Sequence, residues 1–169
     1  MEIKARVSDA QLLRERAKVE SGSEPTILWQ EDIFFHVSQG RLKLRKTKDV
    51  KSELIAYERV DTEGAKPSDY DIANVADPDS LCAVLTRALG VKGIVKKKRE
   101  LYMVGQTRVH LDEVEGLGNF MELEVIMKEG QTKAEGIAIV NDLMKKLNIQ
   151  ESDLIDRAYL DLLLDKEHS

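Results

Sequence analysis

The sequence holds one cysteine, Cys82, among 169 residues. A lone thiol excludes an intramolecular disulfide framework and a multi-cysteine zinc site. Cys82 falls on the apolar stripe of an expected helix, with no activating group near it in sequence, which is the setting of a packed thiol rather than a nucleophile. Long apolar runs are missing too. None approaches a membrane span, and the opening MEIKARV is not the pattern of a signal peptide, so the expectation is a cytoplasmic protein with no membrane contact. Nor is there a surplus of positive charge: 26 Lys and Arg stand against 31 Asp and Glu, a formal net charge of -5. With no global pull towards nucleic acid, any basic site has to be local. Neither a repeat nor a low-complexity segment interrupts the chain, which is long enough for one domain with a real core.

What is present is charge in a regular arrangement. Residues of Asp, Glu, Lys and Arg make up 34% of the chain and apolar residues 42%. The most informative stretch is RVHLDEVEGLGNFMELEVIM, Arg108 to Met127. It predicts two strands joined by a turn at Gly116 and Gly118. In the second strand Met121, Leu123, Val125 and Met127 alternate with Phe120, Glu122 and Glu124, which puts both glutamates on one face. In the first, Val109 and Leu111 share a face opposite Arg108, His110 and Asp112. Two carboxylates at this spacing can serve one hard divalent cation; they can equally be two solvated side chains on an open sheet face.

The rest of the chain repeats the pattern. Glu2 to Val7, Thr26 to Val37, Arg41 to Arg45, Glu53 to Val60 and Val91 to Val104 read as strands, with a short extended piece at Tyr70 to Val75. Helices are expected from Ala10 to Val19 after Ser8 and Asp9, from Asp77 to about Leu89 before Gly90, and from Thr132 to Leu147 behind a Thr132/Glu135 capping box. A last helix is expected to start near Ser152, with Leu154, Ala158, Leu162 and Leu163 on one side. The polar faces of the strands are Glu2/Lys4/Arg6, Arg41/Lys43/Arg45, Arg59, Lys97/Arg99, Arg108/Asp112 and Glu122/Glu124. If helices cover the apolar faces, these charged faces look at one another across a barrel. A charged interior is costly unless water or ligand satisfies it. Many cations with a few carboxylates suit a metal-polyphosphate ligand, since Arg and Lys pair phosphoryl oxygens and metal ions bridge them to carboxylates.

These blocks resemble the CYTH superfamily, the triphosphate tunnel metalloenzymes, and especially its class IV adenylate cyclase-like branch. Glu2 and Lys4 fill the last two fixed positions of the family's E-x-E-x-K signature, whose first glutamate would fall before Met1. GRLKLR (Gly40 to Arg45), ELIAYERVD (Glu53 to Asp61) and VKKKRELYMVG (Val95 to Gly105) resemble its successive tunnel strands. RVHLDEVEGLGNFMELE (Arg108 to Glu124) is similar to its most specific block, and AYLDLL (Ala158 to Leu163) to its close. The likeness runs in order through nearly the whole chain.

The resemblance implies an α+β fold: one CYTH domain over residues 1–169, a closed eight-stranded antiparallel β tunnel with a charged interior and helices packed outside. It implies Mg2+ or Mn2+ and a triphosphate or nucleotide as small-molecule partner. By position, Glu2, Glu122 and Glu124 would hold metal, and Lys4, Arg41, Lys43, Arg45, Arg59, Lys97, Arg99 and Arg108 would line the tunnel and grip phosphates. Asp112 would sit by the metal or orient a basic neighbour. Glu2, Lys4, Asp112, Glu122 and Glu124 make up the catalytic set. His110 is either a general base or a wall residue, and Tyr57 either touches substrate or packs. The favoured reaction is metal-dependent hydrolysis of an inorganic or organic triphosphate. The alternatives are cyclisation of ATP to cyclic AMP and pyrophosphate, action on an RNA 5'-triphosphate end, or binding of polyphosphate with little turnover. Nothing in the sequence specifies adenine, or decides between a monomer and a homodimer.

Overall fold

The computed structural model describes residues 1–58 and 69–167. Nine strands form one sheet: β1 (Glu2–Arg6), β2 (Thr26–Phe35), β3 (Arg41–Thr47), β4 (Val50–Tyr57), β5 (Tyr70–Val75), β6 (Val91–Val104), β7 (Thr107–Val114), β8 (Gly118–Val125) and β9 (Leu154–Ile155). Four helices accompany them: α1 (Ala10–Ser21), α2 (Pro78–Leu89), α3 (Lys133–Lys146) and α4 (Tyr159–Glu167). The strand order is β5-β4-β3-β2-β6-β7-β8-β1-β9, and every neighbouring pair is antiparallel.

This corrects the expectation of a closed eight-stranded barrel. Among the described residues no backbone pairing joins β5 to β9, so the sheet is open. It is nonetheless curled. Tyr70 on β5 and Arg108 on β7 line the same cavity on the concave face. The ninth strand is also new. Leu154 and Ile155, expected in a helix, pair with Ala5 and Lys4 of β1. The final helix starts only at Tyr159, after a short 3-10 turn at Glu151–Asp153. The exposed backbone edge of β1 takes those two residues in preference to helix propensity.

The helix boundaries have local causes. Asp9 accepts from the Leu12 amide and Asp77 from the Ser80 amide, each satisfying a free first-turn donor. Thr132 and Glu135 form the expected reciprocal capping box of α3. Gly116 and Gly118 adopt φ of 86° and 106° at the β7–β8 turn, a region that side chains beyond glycine rarely enter.

Alternation along the strands separates two faces. The convex face is apolar: Ile3, Ala5, Tyr102, Val109, Leu111, Met121, Leu123 and Val125 pack with Leu13 and Ala17 of α1 and with Val140, Leu143 and Met144 of α3. Further along, Ile33, Phe35 and Leu44 meet Leu81, Cys82 and Leu85 of α2, where the lone thiol is half-buried. The concave face carries the charged rows. One end of it is apolar, however: Phe34, Val95, Val114 and Phe120 receive Tyr159 and Leu160 of α4. Only three of the helices therefore lie outside. The fourth closes the cavity from within, because at that end the inner rows lose their charge and need covering.

Candidate active site

The curled sheet and α4 enclose a cavity of about 430 Å3. Two buried carboxylates anchor its cationic lining. Asp32, on β2, is 1% exposed. Arg45 of β3 donates to both of its oxygens through Nε and Nη2 at 2.8 Å each. Lys97 of β6 and Lys43 of β3 bring their Nζ atoms to 3.3 Å from the same carboxylate. Three cations around one anion leave a local surplus of positive charge in a site removed from water. Burial and the neighbouring Arg99 and Arg45 guanidiniums push Lys97 down to about 7, against the pull of Asp32. Burial, then Arg45, push Lys43 down to about 8. Although burial opposes it, the three cations hold Asp32 well below the usual carboxylate range.

Asp112, on β7, is the second anchor. Arg99 of β6 donates to it through Nε at 2.7 Å and Nη2 at 2.8 Å, and the Tyr159 hydroxyl donates at 2.8 Å. Asp112 is fully buried and stands behind the cavity wall. Its part is thus to orient Arg99 rather than to face a ligand. Arg99 Nη2 also lies 3.6 Å from Glu122, and Lys4 Nζ lies 3.4 Å from Glu122. Burial opposes ionisation of Glu122, but Lys4 and Arg99 outweigh it and hold the carboxyl well below its ordinary range. Lys4 sits 3.7 Å from the centroid of the Tyr159 ring, a cation–π contact that fixes the ammonium over α4.

Glu124 accepts from Arg108 Nη1 at 2.6 Å, and Glu2 is its register partner across β1 and β8. Side chains of like charge directly opposite one another are destabilising on a sheet. Arg108 already relieves part of that cost at Glu124, and hard oxygen donors of this kind also suit magnesium or manganese. Among the described residues no three Asp, Glu, His or Cys converge as a ready metal cage. An ion of the magnesium type needs no such cage, since one or two carboxylates hold it and water and phosphate oxygens complete its shell. Glu2 and Glu124, with Glu122 next along the same face, are oxygen donors of the kind such an ion takes.

Of the residues expected to line a tunnel, Glu2, Lys4, Lys43, Arg45, Lys97, Arg99, Arg108, Glu122 and Glu124 line this cavity, and so does Tyr57. Arg41 does not. Its Nη2 donates to both oxygens of Asp161 on α4, at 3.0 and 2.8 Å, because its row reaches the end that the helix covers. Arg59 lies outside the described residues, as does the end of the expected Glu53 to Val60 strand. His110 lines the cavity at 5% exposure. Burial and Arg99 push its imidazole down to about 3, so it is neutral around pH 7.

Asp32, Gln30 and Tyr159 belong to the site and were not singled out from the sequence. A signal for the first two existed. Gln30, Asp32 and Phe34 alternate within a strand of Ile, Leu, Trp and Phe, and Asp is depleted in strands unless something there requires it. For Tyr159 the signal is only its place in the AYLDLL block, since an aromatic residue at a helix start is ordinarily core.

The sequence model of the CYTH domain family matches residues 1–159. The chain belongs to the CYTH domain family. Its relatives agree. A Methanocaldococcus jannaschii protein provisionally named adenylate cyclase is 24% identical over 96% of this chain and 97% of its own length. An Aeromonas hydrophila protein named adenylate cyclase CyaB is 28% identical over 57% of this chain and 51% of its own. Among solved structures, a Pyrococcus horikoshii OT3 protein superposes with a TM-score of 0.84 at 28% identity, covering 96% of this chain and 98% of that one. This CYTH chain also has, among the described residues, no helix long and apolar enough to cross a membrane.

Proposed function

We propose that this CYTH protein is a divalent-metal-dependent hydrolase of triphosphates, inorganic or organic, with residues 1–169 forming one domain around the cavity. The observation that carries the reading is the group of buried cations held by Asp32 and Asp112 opposite the Glu2–Glu124 pair. A buried surplus of positive charge is stable only with an anion beside it, and a polyphosphate supplies charge and oxygen acceptors along its length. Lys4, Lys43, Arg45, Lys97 and Arg99 bind and neutralise the chain of phosphates. Glu2 and Glu124 would hold Mg2+ or Mn2+, with Glu122 next to them on the same face, and the ion would supply charge neutralisation.

In hydrolysis a water oxygen bonds to the terminal phosphorus while the bond to the bridging oxygen breaks, and the water's protons leave with the released phosphate and bulk solvent. Positioning and charge stabilisation are most of what such a transfer needs from a protein. Glu122 is a poor base at neutral pH, because Lys4 and Arg99 favour its ionised form; its role is to place those cations. Burial, Arg99 and Arg45 lower the Lys97 ammonium in the free protein, and a bound polyanion favours its charged form, so its part is to neutralise phosphoryl charge.

The names of the curated relatives support a second reading, cyclisation of ATP, in which the ribose 3'-hydroxyl attacks the α-phosphorus and pyrophosphate leaves. Product analysis separates the two. The purified protein is incubated with inorganic triphosphate or ATP, with magnesium or manganese or with chelator. Phosphate released in the presence of metal, with no cyclic AMP, is the expected result. Cyclic AMP with pyrophosphate would replace hydrolysis by cyclisation, and metal-independent binding without turnover would overturn both.

A further inference from the structure

Arg108, Glu124 and Glu2 stand in one row across three neighbouring strands. Arg108 of β7 is the register partner of Glu124 on β8, and Glu124 is the register partner of Glu2 on β1. Two residues along the same face runs a second row, His110, Glu122 and Lys4. Both β8 carboxylates have cations beside them, but those cations are held differently. At Glu122 they are pinned from behind: Arg99 donates twice to buried Asp112, and Lys4 lies 3.7 Å from the centroid of the Tyr159 ring. Neither can leave Glu122 without giving up a buried partner. Arg108 is tied more loosely. One nitrogen, Nη1, donates to one oxygen of Glu124 at 2.6 Å, and the side chain is 42% exposed, against 6% for Arg99 and 13% for Lys4.

A guanidinium and a divalent ion both draw on the negative charge of a carboxylate, and they repel each other across a few ångströms. At Glu122 an incoming ion would meet two cations that cannot withdraw. At Glu124 it meets one that can, into a cavity that Arg108 shares with Lys43, Lys97 and Arg99. The carboxylate with the exchangeable counter-charge is therefore Glu124.

We infer that Arg108 is a positioning residue that competes with the divalent ion for Glu124: it neutralises that carboxylate until the ion arrives, and the ion then releases its guanidinium to the phosphates. This rests on the metal and triphosphate reading above and adds a coupling to it. The ion favours the polyanion by freeing a cation as well as by its own charge. Linkage requires the reverse, so a polyanion that draws Arg108 away from Glu124 tightens the ion.

The test is calorimetric titration of the full chain with Mn2+ alone, and with inorganic triphosphate in the presence and absence of Mn2+. The proteins are the wild type, Arg108→Gln, Arg108→Met and Arg108→Lys, each checked for an unchanged melting profile. With no phosphate present, Arg108→Gln and Arg108→Met should bind Mn2+ about ten-fold tighter than the wild type, the equilibrium worth of one charge-assisted hydrogen bond. Arg108→Lys, which keeps the charge, should stay near the wild type. The gain in triphosphate affinity that Mn2+ brings should be smaller in the two uncharged variants than in the wild type. Unchanged, weaker or undetected Mn2+ binding in both uncharged variants overturns the inference, since Arg108 would then grip phosphate or orient Glu124 without competing, and leaves the triphosphatase reading intact. Failure of every protein to bind Mn2+, even with triphosphate present, overturns both.

Discussion

At the residue scale, the cavity depends on anions that no ligand touches first. Asp32 holds Lys43, Arg45 and Lys97 at once, and Asp112 holds Arg99. Removing one partner of a buried ionic cluster leaves the others uncompensated, which typically costs about 3–5 kcal/mol. Asp32→Asn keeps the shape and removes the charge, so urea unfolding should show a loss of about 3 kcal/mol. A loss below about 1 kcal/mol would mean that solvent, and not Asp32, balances the three cations. At the catalytic end, Glu124→Gln should abolish metal-stimulated phosphate release while leaving the melting temperature near that of the wild type. Full activity in that variant would remove Glu124 from the metal set.

At the scale of elements, α4 is the part whose position sequence periodicity misjudges. It sits inside the curl, fixed by Tyr159 on Asp112, Arg41 on Asp161 and Lys166 on the Gly116 carbonyl. At Gly93 a side chain of the helix lies against the sheet: a β-carbon there would collide with Leu160 Cδ1. Overpacking of this kind costs about 1–3 kcal/mol. Gly93→Ala should therefore destabilise the protein by that amount and raise hydrogen exchange in α4 ahead of α1 and α3. Uniform exchange across all the helices would show that α4 yields without opening the cavity. On the convex side, by contrast, the capping box of α3 behaves as local sequence dictates, and Thr132→Ala should cost only about 1 kcal/mol.

At the scale of the whole molecule, the buried lysines couple charge to pH. Lys97 and Lys43 hold their protons less tightly when folded, at about 7 and about 8, than the ordinary value of 10.5. The cost of charging them is complete below about pH 7 and is relieved as pH rises towards 10.5. The unfolded chain binds more protons in that window, so these two residues make the ligand-free protein more stable with rising pH there. Binding of a polyanion favours the charged lysines and works the other way. At pH 8, calorimetry of inorganic triphosphate in two buffers of different ionisation heat should show proton uptake, and affinity should fall as pH climbs further. Identical heats in the two buffers would mean that both lysines are already charged in the free protein.

The strands, the face of each alternating side chain, and the caps of α1, α2 and α3 follow from the sequence alone, because they depend on neighbours within a few residues. So does the grouping of Glu122 with Glu124 and of Lys97 with Arg99, which two-residue spacing enforces. Membership of the CYTH family is legible in the same residues. Closure was not, since whether a curled sheet joins its edges depends on which strand the last segment finds. Here Leu154 and Ile155 take the free edge of β1 instead. The pairing of Asp32 with three cations from two other strands, the turning of Arg41 away to Asp161, and the placing of Tyr159 between Lys4 and Asp112 are likewise tertiary. Each joins residues far apart in the chain, and their partners are set by the curl of the sheet and the entry of α4. Local periodicity carries no information about either.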